Sequence, residues 1–164
     1  MGGEVAQIVA TRRPEGLAGL VLVAPAPPTP MPIAEAQRAA MLESYGTREG
    51  VQQALSVLAG GQLSPELREQ VIEDTLRGAL AAKRAWTERN MIEDVSAGLA
   101  AVTVPVAVII GDRDQVEREA ALRQVFARFL PHANFHILIG IGHLSPLEAP
   151  DALADTCRGF LDEL

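Results

Sequence analysis

Apolar residues along this 164-residue chain follow two rhythms, one helical and one of short unbroken runs. Residues 3–14 place Val5, Ile8 and Val9 at helical spacing and stop at Pro14, which predicts a short helix with no capping residue in front of it. In LAGLVLVAPAP, residues 17–27, the apolar run is continuous, rich in leucine and valine, and ends in prolines. A run of that kind predicts a strand covered on both faces of a parallel sheet. The pattern returns in VPVAVIIGDRD, residues 104–114, entered through Pro105 and left at Gly111, and again in NFHILIG, residues 134–140. Between these, residues 117–130 carry Ala121, Leu122, Val125, Phe126 and Leu130 on one helical face. Residues 146–164 predict a closing helix with Leu153, Cys157, Phe160 and Leu161 on its apolar side.

Residues 28–100 have a different character, rich in Ala, Leu, Glu, Arg and Gln, with helical periodicity broken at Gly46 to Gly50 and at Gly60 to Gly61. Three or four helices are expected there. Ser64 is the expected N-cap of one of them, with Pro65 at its first position and Leu67 entering the apolar face. Strand, helices, strand, helix, strand, helix implies parallel strands joined by right-handed crossovers. The expected fold class is α/β: three parallel strands with flanking helices from residues 1–27 and 101–164, and an inserted all-helical block at 28–100.

Composition narrows the function classes. Apolar residues make up 48 % of the chain, enough for a core. A net charge of -7 and 4 % aromatic residues offer neither the field nor the stacking surface that nucleic acid requires. No apolar run reaches bilayer-spanning length, so no membrane partner is expected. Cys157, the single cysteine, permits no intrachain disulfide and reads as a core residue in mid-helix, which favours a reducing, cytoplasmic setting. No His/Cys spacing suggests a metal, and no cofactor is expected.

In an open parallel sheet, functional groups collect on loops leaving the carboxyl ends of strands. One such loop is Gly111-Asp112-Arg113-Asp114, with two carboxylates; another is Gly140-Ile141-Gly142-His143, which presents an imidazole. Taken singly, the aspartates also suit turn or helix capping, and His143 also suits a loop histidine bonded to backbone. Together, each directly after a strand, they suit an imidazole oriented by a carboxylate, the supporting half of nucleophilic catalysis. His132 and His136 read as structural.

The segments VPVAVIIGDRDQV and GIGHLSPLEAPDAL resemble the acid-bearing strand and the histidine loop of the α/β-hydrolases. The resemblance implies that Asp114 is the acid, His143 the base, and Asp112 a turn-shaping residue. The opening segment MGGEVAQIVATRRPEGLAGLVLVAP resembles the stretch after the nucleophile in that family, where a G-x-S-x-G elbow exposes a serine. On this reading Met1, Gly2 and Gly3 are the remnant of the elbow, Met1 supplies an oxyanion-binding nitrogen, and the serine lies just upstream. Ser44, Ser56, Ser64, Ser96 and Ser145 have no elbow around them, and Ser145 reads as a helix cap. The chain is therefore expected to come from a truncated gene model or a fragmentary sequence rather than a natural short protein, to be inactive alone, and to have in-frame upstream codons that specify G-x-S.

For the intact protein the resemblance implies a cofactor-free serine hydrolase of a small ester or acyl-type substrate, with residues 28–100 as a cap over the site. Dehalogenation, C–C hydrolysis and perhydrolysis use similar frames. Met31, Met41, Trp86 and Met91 are candidate pocket residues that also read as plain core of the cap. The alternative is a non-catalytic α/β-hydrolase-like binding protein. The first of the three strands would lack its partner, leaving an apolar edge through which the chain is expected to self-associate.

Overall fold

The computed structural model describes residues 1–61 and 63–164. Its centre is a parallel sheet of order β1-β2-β3, made of β1 (Leu20–Val23), β2 (Val106–Gly111) and β3 (Asn134–Leu138). Leu22 pairs with Val108, and Ile109 with His136, so the carboxyl ends of all three strands lie along one side of the sheet. β2 is buried at every position. Period-two alternation turns Val106, Val108 and Ile110 to one face and Ala107 and Ile109 to the other, so both faces must be covered.

The first face carries the main core. Ala10 of helix α1 (Gly2–Thr11), Leu20 and Leu22 of β1, and Leu122, Phe126 and Leu130 on and after helix α6 (Glu119–Phe129) pack there, with Leu99 and Val102. Helix α8 (Pro150–Asp162) lies against β2 and β3. β1 is shorter than its apolar run. Pro25 cannot extend the ladder, and the strand sits at the sheet edge, where Leu20 and Leu22 are buried while Val21 and Val23 are only half-buried.

The block after β1 folds as α2 (Glu35–Ser44), α3 (Arg48–Leu58), α4 (Pro65–Arg77) and α5 (Leu80–Arg84), the last running into one π-helical turn, Ala85–Arg89. Ser64 caps α4 as expected, its hydroxyl accepting from Leu67 N–H at 3.2 Å. Gly50 does not break a helix. It lies in the first turn of α3, where its N–H donates to the capping Thr47 hydroxyl at 3.1 Å. Val51, Leu55, Leu63 and Ile72 form a second core, against which Leu144 and Leu147 also pack.

Three expectations for surface and ends are corrected. The closing helix is two helices, α7 (Ser145–Glu148) and α8, because Pro150 has no N–H to continue the ladder. Leu161 faces solvent at 58 % exposure while Phe160 is buried. Ala121 is likewise exposed, leaving Leu122, Phe126 and Leu130 as the buried face of α6.

Candidate active site

Gly111 ends β2 and releases the chain into the acid loop. A Cβ there would lie 2.0 Å from the Ile141 carbonyl oxygen, so the two loops approach each other only across a glycine. Backbone bonds stitch them together: Asp112 N–H donates to Leu138 O at 3.1 Å and Arg113 N–H to Ile141 O at 2.9 Å. The Asp112 side chain accepts from Gly140 N–H at 2.6 Å, which joins the turn after β2 to the turn after β3.

Within this frame the Asp114 side chain is fully buried. Its Oδ1 accepts from Val116 N–H at 2.8 Å and Glu117 N–H at 2.9 Å, which fixes the carboxylate plane. Its Oδ2 lies 2.8 Å from His143 Nδ1. With a carboxylate that only accepts, the proton of this bond sits on Nδ1, which leaves Nε2 as the nitrogen able to take up a proton. His143 keeps a quarter of its side chain exposed, enough for a substrate to reach it. Its own N–H donates to Leu58 O, at the end of α3, at 2.7 Å.

His143 and Met1 line the same cavity, of about 380 Å³, with Tyr45, Asp74, Thr75, Gly78, Ala79, Ala82, Lys83 and Trp86 as further walls. Helices from the inserted block thus supply most of the surface facing the imidazole. Burial pushes the Tyr45 phenol above its ordinary value, partly opposed by the neighbouring Trp86 indole. Lys83 Nζ donates to the carbonyls of Tyr45 (3.0 Å) and Leu76 (3.3 Å), which pins two helix ends to the cavity wall.

Of the four apolar candidates from the block, Trp86 reaches this cavity. Met41 lines a separate apolar groove between α2 and α3, Met31 lines another beside α6, and Met91 is buried with its carbonyl bonded to Met31 N–H. Gly2 meets nothing at its missing Cβ, whereas a Cβ on Gly3 would lie 2.8 Å from Pro25. α1 therefore packs tightly on the loop after β1. Ser145 is not a cap: it is the first residue of α7, and its fully buried hydroxyl has no hydrogen-bond partner among the described residues.

Glu117 escaped the sequence reading. It is buried beside Asp114, and burial, then the negative charge of Asp114, push its carboxyl up to about 8. Tyr45 and Lys83 escaped it too, because their place on the cavity depends on how α2 and α5 cross. Glu148, which accepts backbone N–H groups from both the His143 loop and the turn at Gly60, showed along the chain only its spacing from His143. Among the described residues there is no group of three or more His, Cys, Asp or Glu side chains able to hold a metal, and no helix long and apolar enough to cross a membrane.

Solved structures similar to this chain include esterases. An esterase from Exiguobacterium antarcticum superimposes with a TM-score of 0.85 at 15 % identity, over 98 % of this chain and 63 % of its own. A thermophilic esterase from Thermogutta terrifontis, solved with malate bound, gives 0.76 at 26 % identity, over 99 % and 62 %. The carboxylesterase CesB from Bacillus subtilis gives 0.74 at 18 % identity, over 98 % and 56 %. The chain thus spans less than two thirds of the length of each. No curated protein matches it in sequence. The family model described as serine aminopeptidase, S33, matches residues 1–149. With three parallel strands in one open sheet flanked by helices, the chain belongs to that family, within the α/β-hydrolase superfamily.

Proposed function

We propose that this chain carries the acid, the base and the substrate-facing wall of a serine ester hydrolase. The observation that carries the proposal is the 2.8 Å bond from His143 Nδ1 to Asp114 Oδ2 at the mouth of a cavity that Met1 also lines. In a protein extended by a serine immediately before Met1, that hydroxyl would attack an ester carbonyl. His143 Nε2 takes the hydroxyl proton and returns it to the leaving alcohol, and Asp114 holds the imidazolium that forms between the two steps. The peptide N–H at Met1 faces the developing oxyanion. Water repeats the sequence on the acyl-enzyme and releases the acid.

The walls favour a small, largely apolar ester: Ala79, Ala82, Trp86 and the ring of Tyr45 dominate, with Lys83 as the cation. Without the serine these residues are expected to be inert, since removing it from a serine protease costs about six orders of magnitude in kcat.

A fluorophosphonate probe tests this reading. The extended protein should be labelled and should hydrolyse short p-nitrophenyl esters, while the 164-residue chain should do neither. His143→Ala in the extended protein should abolish turnover and leave the circular dichroism spectrum unchanged. Turnover retained in that variant would overturn the assignment of the base.

A further inference from the structure

Glu148 closes α7 five residues after His143 and takes no part in the proton transfers of ester hydrolysis. Its half-buried carboxylate accepts hydrogen bonds from four backbone N–H groups on two loops that are distant in sequence. Oε2 accepts from Gly60 at 2.8 Å, and from Gly61 and Gly142 at 3.1 Å. Oε1 accepts from Gly142 and Leu144, both at 3.1 Å. Gly60 and Gly61 form the turn between α3 and α4 of the helical block, while Gly142 and Leu144 flank the base.

The two loops have no room between them. A Cβ on Gly142 would lie 2.1 Å from Gly60 N, and one on Gly60 would lie 2.4 Å from Gly142 N. Bonds from His143 N–H to Leu58 O (2.7 Å) and from Arg113 Nη1 to Gly60 O (3.2 Å) close the same seam. Such an approach brings several N–H dipoles toward one point, and an ionised acceptor there satisfies them where another N–H or an apolar group would not. Leu144 and Leu147, at the start of α7 and just before Glu148, pack against the core of the helical block.

We propose that Glu148 is a positioning residue. It fastens the turn at residues 60–61 to the His143 loop, so that the seating of the helical block and the orientation of the imidazole move as one unit. The cavity walls that face the substrate are then in register with the base whenever the clamp is closed. The structural claim stands without turnover, and only its kinetic consequence rests on the hydrolase reading.

Amide hydrogen exchange by NMR on the 164-residue chain tests the clamp directly. In Glu148→Gln, which keeps the length of the side chain but loses its charge and one acceptor, Gly60, Gly61, Gly142 and Leu144 should exchange at least about tenfold faster. Val108, Ile109 and Ile110 in β2 should keep their protection. The low-field Nδ1 proton of the His143 to Asp114 bond should weaken or broaden. Glu148→Asp retains the charge on a shorter arm and should give the same pattern more weakly, and it carries the test if the Gln variant does not fold. Unchanged exchange at the four amides, or a uniform rise that includes β2, would overturn the proposal. In the extended enzyme, Glu148→Gln should lower kcat about ten- to a hundredfold with KM held, because a misplaced base costs rate more than binding. Equal losses in both parameters would argue against positioning. An extended protein inert towards esters sinks the hydrolase reading, while the exchange pattern still decides the clamp.

Discussion

Asp114 divides its two oxygens, one for its own loop and one for the imidazole, and this division dictates what an amide would do there. Asparagine keeps the shape, but its NH₂ turned to the loop meets N–H groups that it cannot accept from, and turned to Nδ1 it makes that nitrogen the acceptor and leaves the imidazole proton on Nε2, the wrong tautomer for a base. Asp114→Asn in the extended enzyme should cost about four orders of magnitude in kcat while leaving the melting temperature within a few degrees, measured by ester hydrolysis and thermal denaturation. Glu117, next to it, bears on stability through its raised carboxyl. Its folded value of about 8 lies above its ordinary value of 4.5, so the folded chain holds a proton that the unfolded chain gives up between these limits. That contribution is fully present below the lower value and is lost as pH rises through the upper one. Urea titrations from about pH 5 to about pH 9 should therefore show stability falling with pH. Glu117→Gln should flatten the slope, although Glu4, also raised by burial, leaves a residual one. That Asp114 and His143 would lie together was legible because each closely follows an apolar strand of the same sheet. Glu148 and Glu117 were not, because their roles are defined by partners across a loop or, for Glu148, 88 residues away.

Strands and helices were legible in proportion to how one-sided their surroundings are. β2 is buried at every position, and its apolar run shows it. β1 looks the same along the chain but is an edge strand of four residues, because pairing on one side only and Pro25 limit what the run can form. The helical faces were placed correctly where large side chains meet the sheet, as with Leu122 and Phe126, and incorrectly for Ala121 and Leu161 and, in α1, for Val5 and Val9, which are exposed while Glu4, Gln7 and Ala10 are buried. The capping pattern at α4 was both read and observed. Ser64→Ala should lower stability by about 1 kcal/mol in a urea titration, since it strands the Leu67 N–H at a solvent-facing helix start. Cavity residues such as Trp86 and Met41 were not separable by sequence, since both sit in amphipathic helical stretches and only the packing of α2 on the π-helical turn sorts them.

Among the described residues the sheet has three strands, with β1 and β3 at its margins and β1 paired with β2 alone. A strand with Leu and Val at every position and one unpaired flank is a template for another copy. The 164-residue chain is expected to sediment as a concentration-dependent mixture, and Val21→Lys should shift it toward monomer; a monodisperse monomer across about a hundredfold range of concentration would contradict this. The seam held by Glu148 bears on how the chain reaches its structure. Joining residue 60 to residue 148 closes a loop of more than half the chain, and such closures come late because their entropy must be offset by contacts already made. Stopped-flow refolding should recover far-ultraviolet helicity before the Trp86 fluorescence reaches its native value. During synthesis, the chain would then hold its helices for a time before β1 pairs with β2, a closure almost as long (Leu20 to Val106), and the orientation of the imidazole would be among the last features it acquires.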